Sequence, residues 1–112
     1  MSHRISVENI NELKSLAQQN DPSFMLKFHE YFHFFVASLD ELANPTLNSA
    51  EMEVCAYTKL QLSTKDIALY LKRSIRSVEN RKYRIRKKLG LSSEVDFVLW
   101  ISRFPMDPTK AR

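Results

Sequence analysis

The chain of 112 residues contains one glycine and four prolines, so it has few of the residues that form tight turns. This scarcity favours helices, and we predict an all-α fold. A single cysteine, Cys55, excludes an internal disulfide. Its neighbours Val54 and Ala56 indicate a buried thiol rather than a redox sensor.

The sequence also lacks an apolar run of the length that spans a membrane, and it lacks a secretory signal pattern. We therefore expect a cytoplasmic protein with no membrane partner. Its apolar content of 44% is enough for a hydrophobic core without disulfides.

Positive charge is concentrated in one stretch of the chain. Between residues 72 and 88, nine Lys or Arg accompany one acid, Glu79, which gives +8 within a chain of net charge +4 and leaves −4 for the rest. Cations this dense repel one another unless a polyanion is close. We interpret the stretch as phosphate-binding rather than as ordinary solvated surface.

Two helices meeting at a corner are predicted around this stretch. Ser63 and Asp66 have capping-box spacing and should begin a short helix. Ser74 is a good N-cap for a second helix. At about 100° per residue, Val78, Ile85 and Leu89 share one side of that second helix, which should be buried.

The opposite side of the second helix is polar and should be presented to a partner. It carries Arg76, Asn80, Tyr83 and Lys87, flanked by Glu79 and Arg84. An asparagine suits adenine, a glutamate suits the amino group of cytosine and an arginine suits guanine. We predict that this side enters the major groove of DNA.

The region from residue 47 to residue 91 resembles the LuxR-type (GerE-type) helix-turn-helix domain of bacterial transcription regulators, particularly its form in Bacteroidetes. The matching residues are Leu47, Glu51, Val54, Leu62, Ser63, Lys65, Ile67, Ala68, Leu71, Ser74, Val78, Ile85, Lys88, Leu89 and Gly90. The chain departs from the family at Lys72 and Arg73, where a Gly or Asn followed by an apolar residue is usual. If that corner requires a left-handed backbone conformation, a residue with a Cβ would be strained there.

The resemblance implies a four-helix DNA-binding domain with a scaffold helix, the two-helix corner and a last helix used for dimerisation. We expect this domain at residues 45–104, preceded by two N-terminal helices in residues 1–44 and followed by a flexible tail at 105–112. The base-facing positions it implies are Glu79, Asn80 and Tyr83, to which the presented side adds Arg76. The backbone contacts it implies are Thr64, Lys65, Ser74, Ser77, Arg84 and Lys87.

The flanking helices are expected at residues 7–19, 23–43 and 49–61. The second of these carries five of the seven phenylalanines, more than a solvated helix could expose. Its aromatic stripe is either core within the chain or partly a subunit interface. Asn48 and Glu51 have capping-box spacing and should open the third helix.

A last helix, opened by Ser93 with Asp96, is apolar nearly all round. This is too much for one face of a small domain, so we expect part of it to pack across a homodimer axis. The residues expected at that interface are Phe97, Trp100, Ile101 and Phe104.

One motif indicates a different function: residues 29–33 read His-Glu-Tyr-Phe-His, the H-E-x-x-H pattern of zinc proteases. A catalytic zinc needs a third protein ligand, and the remaining histidine, His3, lies near the terminus. We favour ordinary, half-exposed histidines over a protease or an adventitious metal site. We therefore predict no cofactor and no enzymatic activity, since no other nucleophile–base pair or phosphate loop is visible.

The sequence thus predicts a homodimeric, sequence-specific regulator of transcription that binds double-stranded DNA. Two alternatives share the same features. One is a sigma-factor-like module that binds RNA polymerase, and the other is an adaptor whose basic face meets an acidic protein.

Overall fold

A computed structural model describes residues 5–105 of the chain. Within this range the chain forms seven helices and no strand, which confirms the predicted all-α class. They are α1 (Val7–Gln18), α2 (Phe24–Tyr31), α3 (His33–Leu42), α4 (Ser49–Lys59), α5 (Thr64–Leu71), α6 (Ile75–Lys88) and α7 (Phe97–Arg103). Apart from Pro105, the tail expected at 105–112 lies outside the described residues.

The single helix expected at 23–43 is wrong, because it divides into α2 and α3 at Phe32. This residue has φ −122° and ψ 36°, outside the helical region. The break brings the rings of Phe28, Phe32 and Phe35 together, with centroids of Phe28 and Phe32 4.7 Å apart. The sequence has no Gly or Pro at this point, so nothing in its pattern marks the break.

Only part of the aromatic stripe of α2 and α3 is buried. Phe24, Phe28 and Phe35 are buried, whereas Phe34 is 63% exposed. Val7, at the first position of α1, is 72% exposed.

Helix α4 is the central helix of the fold, in contact with α2, α5, α6 and α7. Its N-cap Asn48 and Glu51 form a complete capping box, as predicted. Seven of its eleven residues are buried, so it is enclosed on nearly all sides rather than on one apolar stripe. Helix α4 therefore sets the positions of the helices that pack around it.

One hydrophobic core runs through both halves of the chain. Phe24 of α2 meets Tyr57 of α4 edge to face, with ring centroids 4.7 Å apart. The N–H of Asn44, between α3 and α4, donates to the carbonyl of Lys88 at the end of α6 over 2.9 Å. The N-terminal helices are therefore packed against the region expected to bind DNA. None of the helices within residues 5–105 is both long and apolar enough to span a membrane.

Candidate nucleic-acid interface

Helices α5 and α6 pack against each other and are joined by the three residues 72–74. The Oγ of Ser63 accepts a hydrogen bond from the N–H of Asp66 over 3.1 Å and caps α5. The Oγ of Ser74 accepts from the N–H of Ser77 over 3.0 Å and caps α6. Both predicted N-caps are confirmed, although Asp66 does not complete a capping box at Ser63.

The turn between these helices depends on a left-handed lysine. Lys72 has φ 57° and ψ 47°, a conformation that costs a residue with a Cβ about 1–2 kcal/mol. The N–H of Arg73 returns to the carbonyl of Ala68 over 2.9 Å, which closes the end of α5. The strain expected from having lysine in place of glycine or asparagine is therefore present at this corner.

The buried side of α6 is the one that the spacing predicted. Val78 and Ile85 are fully buried and Leu89 is 6% exposed. The helix ends at Lys88, and two residues later Gly90, with φ 71°, returns its N–H to the carbonyl of Lys87 over 3.1 Å. These apolar anchors fix the rotation of α6 about its own axis and thereby decide which side faces outward.

The outward side of α6 carries the six side chains that the sequence placed there. All six residues are exposed: Arg76, Glu79, Asn80, Tyr83, Arg84 and Lys87. The Nζ of Lys87 lies 5.2 Å from the ring centroid of Tyr83, so these two side chains form one cation–aromatic pair on the surface. The exposed side therefore combines cations, an amide, a carboxylate and an aromatic ring.

Three of the nine cations between residues 72 and 88 donate hydrogen bonds to other groups of the chain. Lys88 donates to Glu51, and Arg86 donates to the carbonyls of Ser92 and Val95 over 2.8 and 2.7 Å. Lys82 is half-buried, and its Nζ donates to the Oγ1 of Thr64 over 2.6 Å. The charge offered to a partner is therefore smaller than the sequence count of +8.

Glu51 is the residue of this region whose role sequence reasoning missed. The sequence identified it as a cap and as one of the residues that carry the family resemblance, but did not predict that it is 1% exposed and accepts from the Nζ of Lys88 over 2.7 Å. Its second oxygen lies 3.7 Å from the Nε of Arg84. Burial alone raises the pKa of Glu51, but the hydrogen bonds from Lys88 and from the N–H of Asn48, with the charges of Lys88 and Arg84, outweigh burial and lower it.

The six residues expected to contact phosphates lie in two places. Thr64 and Lys65 open α5, and the others lie in α6 or its cap: Ser74, Ser77, Arg84 and Lys87. The Lys82–Thr64 hydrogen bond holds the first turn of α5 against α6, so the expected phosphate contacts of α5 are held next to those of α6. Arg84 forms an ion pair with Glu51, although the side chain of Arg84 is 55% exposed.

The interface expected for dimerisation needs a correction. Phe97 and Ile101 are 5% and 0% exposed and belong to the hydrophobic core of the chain, so they are not available to contact a partner. Trp100 and Phe104 are half-buried and stack on each other with ring centroids 4.7 Å apart. Because α7 is apolar nearly all round, the sequence could not show which of its residues point inward.

The exposed apolar residues of α7 are Val98 and Leu99, at 43% and 47%. Beside them lies a groove of about 450 Å³, lined by Val95, Asp96, Leu99, Trp100, Arg103 and Phe104. Helix α7 begins at Phe97 with Asp96 as its N-cap, three residues later than the predicted opening at Ser93.

The two histidines of the zinc-protease pattern do not share one helix. His29 belongs to α2 and His33 opens α3, and the break at Phe32 lies between them. Glu30 pairs instead with Lys27, whose Nζ lies 3.7 Å from its carboxylate. His3 lies outside the described residues, and within residues 5–105 no group of three metal-ligating side chains is assembled.

Cys55 is fully buried in α4, as predicted. Burial raises the pKa of its thiol to about 12, and the negative charge of Glu51 adds to this effect while Lys82 opposes it. The thiol therefore stays protonated at neutral pH, and a protonated thiol is a poor nucleophile.

Comparisons of the chain with protein-family models, with curated proteins and with solved structures found no match. The geometry of the corner and the chemistry of its exposed side are therefore what indicate a function for this chain.

Proposed function

We propose that the protein is a cytoplasmic, sequence-specific DNA-binding regulator of transcription of the LuxR type, with α6 as its recognition helix. One observation carries the proposal. The cationic side of α6 is exposed, while Val78 and Ile85 on its other side are fully buried. A helix anchored in this way can enter the major groove, which is wide enough to admit one helix.

In the proposed complex, phosphates and bases are contacted by different residues. Lys65 and Lys87 are exposed cations that contact the backbone, which supplies affinity without sequence preference. Asn80 pairs with an adenine and Glu79 with a cytosine amino group, and these contacts supply selectivity. Arg76, at the first turn of α6, reads a guanine.

The proposed regulator acts as a homodimer. Val98 and Leu99 leave an apolar surface next to the groove along α7, and such a surface on a small protein usually meets a partner. A dimer that reads two half-sites needs its two recognition helices about one turn of DNA apart, roughly 34–36 Å. The preferred site is then an inverted repeat.

A second candidate function is a module that binds RNA polymerase or another protein through the same corner. Leu69 and Ile75 favour it, because they are apolar, 68% and 47% exposed, and stand at the end of α5 and the start of α6. Contacts to DNA phosphates alone do not require exposed apolar side chains at these positions.

Selection from a pool of random duplexes, followed by sequencing, separates the two candidates. The proposed regulator should enrich an inverted repeat, and Asn80→Ala should lose that enrichment at one base pair of each half-site. Retention of duplexes with no enriched sequence would contradict the proposal. Stable binding to core RNA polymerase without enrichment of any duplex would favour the second candidate.

A further inference from the structure

Lys59, the last residue of α4, reaches the far end of α7. Its Nζ donates to the carbonyl oxygens of Ile101, Ser102 and Phe104 over 3.2, 3.1 and 2.8 Å. An ammonium group has three protons to donate, so these three acceptors use its full capacity. One side chain of the central helix thus binds the C-terminal turn of another helix.

This contact matters because α7 is short. It has seven residues, and a helix of this length is marginal without tertiary contacts. The last carbonyls of an α-helix lack the usual partner four residues on, and the carbonyl of Ile101 receives a long, 3.3 Å hydrogen bond from the N–H of Phe104. A cation near a helix C-terminus is favourable. Lys59 therefore caps the C-terminus of α7 with a side chain from another helix.

The same ammonium group is covered by a residue of the N-terminal helices. The ring centroid of Phe35, in α3, lies 4.9 Å from the Nζ of Lys59, within cation–π range. Phe35 is 3% exposed and also meets Phe104 edge to face, with ring centroids 6.1 Å apart. Helix α3 thus touches the end of α7 both directly and through Lys59.

We infer that Lys59 is a positioning residue through which the N-terminal helices control the C-terminal end of α7 and the apolar groove beside it. Phe104 and Trp100 line that groove, and Phe104 accepts the shortest of the three hydrogen bonds from Lys59. Because Phe35 of α3 covers the ammonium group, the packing of α3 determines how firmly Lys59 holds the end of α7 and therefore the shape of the groove. This coupling does not depend on DNA binding, so it can fail or hold independently of the proposed function.

Trp100 makes the inference testable, because it is the only tryptophan of the chain and lies in α7. In Lys59→Met, whose side chain is unbranched and one atom shorter and has no donor, the emission of Trp100 should shift to the red. The amides of α7 should exchange with deuterium about tenfold faster relative to those of α4. Phe35→Leu should change both readouts in the same direction by about threefold in exchange rate.

Two variants with matched chemistry serve as controls. Lys14→Met removes a lysine from the exposed side of α1, and Phe34→Leu removes a ring that is 63% exposed beside Phe35. Neither should change Trp100 emission or exchange in α7. Lys59→Arg, which keeps the charge and several donors, should restore most of the protection lost in Lys59→Met.

The double variant isolates the part of the coupling that runs through Lys59. Phe35→Leu should accelerate exchange in α7 less in the Lys59→Met background than in the wild-type chain, because the cation–π contact is already gone. Equal effects in the two backgrounds would overturn the inference and leave only the direct contact between Phe35 and Phe104. Unchanged Trp100 emission and unchanged α7 exchange in Lys59→Met would also overturn it. If Lys59→Met does not fold, Phe35→Leu must still alter α7 more than Phe34→Leu does, and a failure to do so contradicts the inference.

Discussion

Lys88 at the end of α6 donates a 2.7 Å hydrogen bond to Glu51, a carboxylate of α4 whose side chain is 2% exposed. The two residues are 37 positions apart, so the bond fixes α6 against the central helix α4. The same carboxylate lies 3.7 Å from Arg84, on the flank of the exposed side of α6. A single buried charge therefore orients both the helix and one of its outward cations.

Glu51→Gln should destabilise the protein by about 1–3 kcal/mol at pH 7, because the amide keeps the size of the side chain but cannot balance the charge of Lys88. The measurement is urea unfolding followed by circular dichroism. The loss should depend on pH. The pKa of Glu51 is lowered by folding, so its contribution is complete above the unfolded-state pKa of about 4.3 and declines as the pH falls through the folded-state pKa.

Glu53→Gln is the matched control for this experiment. Burial raises the pKa of Glu53, and the charges of Arg81 and Arg73 only partly oppose that effect. Its charged form therefore costs stability above the raised pKa, and the Gln variant should be at least as stable as the wild-type chain at neutral pH. A Glu51→Gln loss that stays constant from pH 7 to about pH 3 would mean that the carboxylate charge is not what holds Lys88.

Asn80→Ala should relax discrimination at one base pair of each half-site by about 1–3 kcal/mol, because a bidentate amide contact to adenine would be lost. Binding to a set of duplexes with single substitutions, measured at one salt concentration, gives this value. Asn11→Ala, on the exposed side of α1, is the control and should leave the preference unchanged. If Asn80→Ala binds every duplex in the wild-type order, Asn80 does not read a base.

Lys87→Ala should weaken binding to all duplexes alike, because its proposed partner is a phosphate. The slope of log K against log salt concentration should fall by about one unit in magnitude. Lys14→Ala, an exposed lysine outside the corner, should keep the wild-type slope. A Lys87→Ala variant that keeps the slope but loses selectivity would assign Lys87 to a base instead.

The parts of the fold that the sequence predicted are those in which one local pattern decides the outcome. Val78, Ile85 and Leu89 repeat at helical spacing among polar residues, so the orientation of α6 could be read directly. The break at Phe32 could not be predicted in this way, because apolar residues continue at helical spacing across it. The contacts of Glu51 with Lys88 and of Lys59 with Phe104 join residues 37 and 45 positions apart, and no local pattern encodes them.

Lys72→Gly should stabilise the protein by about 0.5–1 kcal/mol, because glycine adopts the left-handed conformation of this turn without a clash at Cβ. Thermal and urea unfolding measure the gain. Lys72→Ala removes the same charge but keeps a Cβ, so it should gain much less. Equal gains in the two variants would attribute the effect to charge repulsion among the cations rather than to the backbone.

Leu99→Glu should convert the proposed dimer to a monomer without unfolding it, because Leu99 is 47% exposed and lines the groove of α7. Trp100 is a poorer position for this test, since its stacking on Phe104 makes a charged substitution disturb the protomer itself. Light scattering gives the mass, and circular dichroism confirms that the helices remain. Leu26→Glu, at a position of α2 that is 73% exposed, should keep the wild-type mass. A wild-type chain that is monomeric at all concentrations, or a Leu99→Glu variant that stays dimeric, would exclude α7 as the dimer interface.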